Sequence, residues 1–167
     1  MNSQLENILY RNYKTDMISY MESHPEVFDE AIHLALGDKP TFSWRAAWLL
    51  WSCMDEDDPR VKKHTKSIIN VLPEKNDNHQ RELLKILQNL ELDEEFEGVL
   101  FDICTGIWEK ISKKPSVRHN AFRMLVKIAK KHPILSKEVL LLTQNHYLES
   151  LSPGVQNSIL KMIKELA

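Results

Sequence analysis

The sequence predicts an all-α chain, a short α-solenoid of about nine helices stacked as antiparallel pairs. Three observations carry this. Among 167 residues only 4 are glycine, and aliphatic residues recur at helical rather than alternating spacing, which argues against folds that need Gly-rich turns and β-branched runs. Prolines preceded by Asp or Ser divide the chain into segments of helical length, since such a pair supplies an N-cap and a residue whose missing N–H costs nothing in the first turn. The chain also repeats itself. With 43% apolar and 28% charged residues, one domain over 1–167 can bury a core without help from metal or membrane.

Taken in order, a capping helix is predicted near 3–22, followed from residue 25 by about four helix pairs. Its charges and aromatics (Glu6, Tyr10, Arg11, Tyr13, Lys14, Asp16) interrupt what a signal peptide would need as an unbroken apolar run. Pro25 and Pro40 mark breaks around a helix at 25–36. A helix at 43–54 follows, and Asp58-Pro59 opens the next, at 59–72, which Pro73 stops. Asp77 caps 78–91 and Asp93 caps 94–112. Ser116 starts 116–131 after Pro115, Pro133 ends that run before a helix at 135–147, and Ser152-Pro153 starts 153–166. No stretch approaches the roughly 18 apolar residues of a membrane span, so a cytoplasmic protein with no membrane partner is expected.

Four helices align without gaps when anchored at Trp44, His79, Val117 and Val155, which are 35, 38 and 38 residues apart. Offset four carries Trp48, Leu83, Ala121 and Ile159; offset five carries Leu49, Leu84, Phe122 and Leu160; offset seven carries Trp51, Ile86, Met124 and Met162. These positions trace one helical face. Leu84, Phe122 and Leu160 are therefore expected to be buried. A period near 38 residues with two helices per unit describes a unit that cannot cover its apolar face alone and must stack on its neighbours.

The segments SVRHNAFRMLVKIAKKHP (Ser116–Pro133) and FSWRAAWLLWSCM (Phe42–Met54) resemble second helices of HEAT repeats. The resemblance covers about residues 25–167, with armadillo-like and other α–α superhelical variants still open because a regular Pro in each first helix is missing. It implies a scaffold whose second helices line a concave, partner-binding side. Those helices are rich in cations: Arg45, Arg81, Lys85, Arg118, Arg123, Lys127 and Lys161 are the candidate contacts for a protein partner or acidic peptide. The first helices at 22–38 and 93–111 are acidic, although 59–72 is basic, so a net charge of −2 conceals a partial separation of sign. Offset six holds Lys85, Arg123 and Lys161 in three successive units, and stacking would bring them into one row. Such a row attracts acidic ligands. It is equally what the solvated edge of a helix would carry for propensity and solubility.

A second candidate is the stripe Trp44, Trp48 and Trp51, able to stack on bases or hold an apolar anchor. The same offsets hold Val117, Ala121 and Met124 elsewhere, which favours a core role. Asp55 continues the stripe at offset eleven, where the other units have Leu90, Ile128 and Leu166; it either faces inward as a functional carboxylate or begins the acidic turn 55–58. The stripe, Asp55 and the basic row together are reminiscent of HEAT-like alkylpurine DNA glycosylases, which makes nucleic-acid binding or DNA repair the alternative reading.

Catalytic chemistry has no local signature. The seven histidines include no pair at i, i+4, and Cys53 and Cys104 do not form a CxxC, so no metal or cofactor is expected. Both cysteines fall in apolar helical patterns and read as buried free thiols. The turn 55–58 lacks the glycine and terminal glutamate of a calcium loop, and Gly37, Gly98, Gly106 and Gly154 are too isolated to cradle phosphate.

Overall fold

A computed structural model describes residues 1–166. Among them the secondary structure is helical throughout, without strand, and no helix is long and apolar enough to cross a membrane. The chain divides into two compact units, Met1–Leu92 and Asp93–Ala167.

The first unit contains α1 (Gln4–Arg11), α2 (Lys14–Ser23), α3 (Phe28–Leu36), α4 (Phe42–Cys53), α5 (Pro59–Lys62), α6 (Thr65–Val71) and α7 (Asp77–Gln88). Ser3 and Glu6 form a capping box that starts α1, satisfying two donors that the first turn leaves without intrahelical partners. The single helix expected over 3–22 is interrupted where Asn12 and Tyr13 are extended. Helix α4 packs on α3 on one side and α7 on the other. Ala46, Ala47, Leu49, Leu50, Leu83, Leu84, Ile86 and Leu87 close the core between these helices.

The second unit contains α8 (Glu94–Glu109), α9 (Pro115–Lys131), α10 (Ser136–Leu141), α11 (Asn145–Leu148) and α12 (Pro153–Lys164). Helix α9 is its axis, packed against α8, α10 and α12. Val117, Ala121, Phe122, Met124 and Leu125 are fully buried, and the Phe122 ring lies 4.7 Å from that of Trp108.

Leu84 and Phe122 are buried as their offset requires, but Leu160 is 46% exposed. Its neighbour Ile159 takes the inward position on α12, and among the described residues no later helix exists to cover the outer side of α12.

Among the described residues the expected nine helices become twelve because three are cut: 3–22 at Asn12 and Tyr13, and two expected first helices each at a threonine. Thr65 Oγ1 donates to the Lys62 carbonyl at 2.6 Å, and Thr143 Oγ1 donates to the Leu140 carbonyl at 2.6 Å. A hydroxyl that takes a carbonyl three residues back competes with the helical ladder, so 59–72 becomes α5 and α6, and 135–147 becomes α10 and α11.

Offset one of the aligned helices has a common structural task. Gln80 donates to the Leu72 carbonyl at 2.9 Å. Arg118 donates to the carbonyls of Trp108 and Tyr147 at 2.9 and 2.7 Å. Gln156 donates to those of Leu148 and Leu151 at 3.0 and 2.8 Å. Arg45 reaches the Asn12 carbonyl at a long 3.5 Å. Each long donor meets carbonyls where a neighbouring helix stops, adding to the turn bonds that the Leu72 and Leu148 carbonyls already accept from the Lys75 and Leu151 N–H groups.

Candidate partner-binding surface

In α4, Ala46, Ala47, Leu49 and Leu50 turn inward, which leaves Trp44, Trp48 and Trp51 half-buried at the margin of that packed face. The tryptophans thus lie at the edge of the core, contrary to a purely internal stripe. The residues that replace them at the same offsets, Val117, Ala121 and Met124, are fully buried. An indole cannot fit where alanine sits against a neighbouring helix, so the larger rings are displaced toward solvent.

Trp48 and Trp51 meet edge to face, with centroids 6.4 Å apart and planes at 80°. A lysine lies over each ring: Lys14 of α2 is 5.1 Å from the Trp48 centroid and Lys85 of α7 is 4.6 Å from that of Trp51. Both distances lie within the roughly 6 Å reach of a cation–π attraction. Beneath them Glu82, only 1% exposed, organises the group. It accepts a hydrogen bond from the Trp51 indole N–H and another from Arg81 Nε at 2.8 Å, and Lys85 Nζ is 3.9 Å away. A carboxylate so placed is compensated rather than isolated, and it fixes the Trp51 ring and the Arg81 fork in position. Three cations, Lys14, Arg81 and Lys85, therefore border two half-exposed indoles, with one buried anion below.

The other cationic candidates fall into different environments. Arg45 is half-buried, with its guanidinium at the Asn12 carbonyl and 3.9 Å from Met17 Sδ. Arg118 is fully buried, its carbonyl bonds joined by a contact over the Trp108 ring. This is a packing role, and Arg118 has no surface to offer a partner. In the second unit His119 and Ser158 are joined at 2.8 Å between α9 and α12. Arg123 lies four residues beyond His119 and Lys161 three beyond Ser158, both exposed, while Lys127 is half-buried. Burial, and then the Arg123 charge, holds His119 below the ordinary imidazole range. Lys85 belongs to the first unit, Arg123 and Lys161 to the second.

Asp55 is exposed, lying beyond the Cys53 end of α4, and its N–H donates to Asp58 Oδ2 at 3.1 Å. The acidic turn is a structural joint. Asp57, at φ 49°, donates its N–H to the Asn89 carbonyl at 2.7 Å and accepts from the Glu91 N–H at 2.9 Å, tying down the chain that leaves α7. Asp58 caps α5 and holds Arg60 through two side-chain bonds, at 3.0 and 2.7 Å.

Sequence reasoning missed Glu82 and Lys14. A signal for Glu82 existed: it occupies offset three, directly before Leu83 and Leu84, where the other units carry Ala47, Asn120 and Ser158. A glutamate bordering the apolar arc needs a partner, and the indole N–H one helix away provides it. Lys14 gave no such sign, because its place over Trp48 depends on the break between α1 and α2.

No curated protein and no solved structure matches the chain. A family model described as a HEAT repeat domain matches residues 1–166. HEAT repeats generally act as protein-interaction scaffolds. With its helix pairs, its aligned second helices and this match over almost its whole length, the chain belongs to the HEAT repeat family.

Proposed function

We propose that this protein is a non-catalytic interaction scaffold that binds an acidic peptide segment of a partner protein on the surface formed by Trp48, Trp51, Lys14, Arg81 and Lys85. The observation that carries the reading is the pair of half-exposed indoles, each with a lysine over its ring. Aromatic rings supply contact area at little entropic cost, and the cations beside them give an incoming carboxylate its partners. An apolar side chain of the peptide rests against Trp48, and its acidic neighbours engage Lys85 and Arg81.

Rings paired with cations also suit single-stranded nucleic acid, whose bases stack while its phosphates meet lysines, and this is the second reading. Both predict affinity that falls as salt rises. The test titrates an acidic peptide with one aromatic residue, single-stranded DNA and duplex DNA at two salt concentrations, read by tryptophan fluorescence. Wild type is compared with Trp51→Ala and with the triple change Lys85→Glu, Arg123→Glu, Lys161→Glu. Salt-sensitive peptide binding lost in both variants supports the scaffold. DNA binding lost in both supports the second reading, and affinity indifferent to salt and to all these changes sinks the surface.

A further inference from the structure

The geometry points to a second docking surface of opposite character in the second unit: a cleft between α8 and the end of α9 that takes a basic, aliphatic-anchored helical segment of a partner protein. The cleft has a volume of about 270 Å³ and is lined by Glu94, Glu97, Gly98, Ile128, Ile134 and Leu135, with His132 at its edge. That is just below the roughly 300–1,000 Å³ of small-molecule pockets and suits one or two inserted side chains.

Its apolar wall reaches the surface, since Ile134, which lines the cleft, is 87% exposed. A large aliphatic left in water beside an apolar recess is the informative exception on a surface otherwise charged.

The opposite wall is acidic. Glu94, Gly98 and Asp102 follow at i, i+4 and i+8 along α8, and Glu95 is exposed beside them. Glu97, 3% exposed, is already compensated, since its two oxygens accept bonds from Lys131 and His132. The lining carboxylate that gives the cleft its sign is therefore Glu94, with the exposed Asp102 four residues beyond Gly98 on the same helix. Charge complementarity then selects the occupant: a helix whose leucine or isoleucine enters over Gly98 and meets Ile128 and Leu135. Its lysines or arginines lie along Ile134 by their stems and reach Glu94 and Asp102 with their charged ends.

Gly98 offers a specific test. A Cβ built there meets nothing within 4 Å, so a side chain at 98 fills the cleft without displacing the fold, and replacing glycine in a helix favours the folded state. The probes are two synthetic peptides with leucines at helical spacing, one with lysine at every polar position and one with glutamate. Methyl NMR of the full chain reads Ile128 and Ile134, and tryptophan fluorescence reads the Trp48–Trp51 surface separately. The lysine peptide should shift the Ile128 and Ile134 methyls and the glutamate peptide should not. Gly98→Leu and Ile134→Asp should each weaken the lysine peptide about tenfold or more, the effect of losing one buried aliphatic contact, with no fall in melting temperature for Gly98→Leu. Absence of binding at low salt, equal affinity for Gly98→Leu, or shifts confined to other methyls would overturn the proposal. So would altered sedimentation of Ile134→Asp alone, which would assign the surface to contact between copies of this chain. Failure of the glutamate peptide at the tryptophans bears only on the scaffold reading.

Discussion

The Arg118 guanidinium donates from Nε to the Trp108 carbonyl at 2.9 Å while its Cζ lies 4.5 Å from the centre of the same residue's indole. One side chain thus holds the end of α8 by backbone and by ring, and through Tyr147 it also holds α11. Arg118→Met keeps the length but leaves both carbonyls unmet in a buried site, for an expected loss of about 2–4 kcal/mol. Arg118→Lys should recover little of it, because an ammonium can neither fork nor stack. Urea denaturation of the two variants checks this; a loss within error for Arg118→Met would return Arg118 to the list of surface cations.

Phe122 and Leu160 share offset five but differ in environment, one fully buried and one 46% exposed. Phe122→Ala is expected to cost about 3–5 kcal/mol, as for other core rings. Leu160→Ala should stay within about 0.5–1 kcal/mol. Thermal melts that rank them in the other order would disprove the burial pattern of α12.

Asp58 is nearly inaccessible, and its hydrogen bonds from Arg60 hold its carboxyl below the usual range against the opposing effect of burial. A carboxylate depressed on folding contributes stability that is complete above its unfolded pKa, about 3.9, and is lost as pH falls through the lower folded value. Asp58→Asn keeps a good helix cap but removes the charge. It should cost about 1–2 kcal/mol at pH 7, a range reduced because Arg60 is half solvated. The difference from wild type should shrink below about pH 4, where the Asp58 carboxyl of the unfolded chain begins to protonate while the folded one does so only at lower pH. Denaturation at pH 7 and at pH 3 measures both arms; a difference that grows in acid contradicts the assignment.

Thr65 and Thr143 make the same bond in different surroundings, Thr65 being buried and the Thr143 bond exposed. Thr65→Val should therefore cost about 1 kcal/mol through the orphaned Lys62 carbonyl, and Thr143→Val distinctly less, since water replaces its hydroxyl. Equal losses by calorimetry would show that the hydroxyl bonds do not set these breaks.

The aligned helices were legible in the sequence because their signal is local: apolar offsets repeat, and Ser152 and Asp58 cap where proline follows. Leu160 could not be placed by that pattern, since exposure on an outer helix depends on what covers it rather than on its own periodicity. The helix breaks were missed for a related reason. Threonine is acceptable within a helix, and only packing decides whether its hydroxyl takes a carbonyl. Arg45 and Arg118 read as surface cations because charge alone does not reveal a carbonyl at a neighbouring helix end. The tryptophan stripe could be read from the sequence, but not its setting, because the fold brings Lys14 and Glu82 to it from two other helices.

A helix that runs unbroken transmits a push along its whole length, whereas two short ones meeting at a threonine give way at the joint. In each unit an uninterrupted helix, α7 or α9, accompanies one split in this manner. The continuous members are the stiffer ones, so under load deformation is expected to concentrate at residues 62–65 and 140–145. A partner that pulls on either unit would move the divided helices first and leave the continuous ones in register.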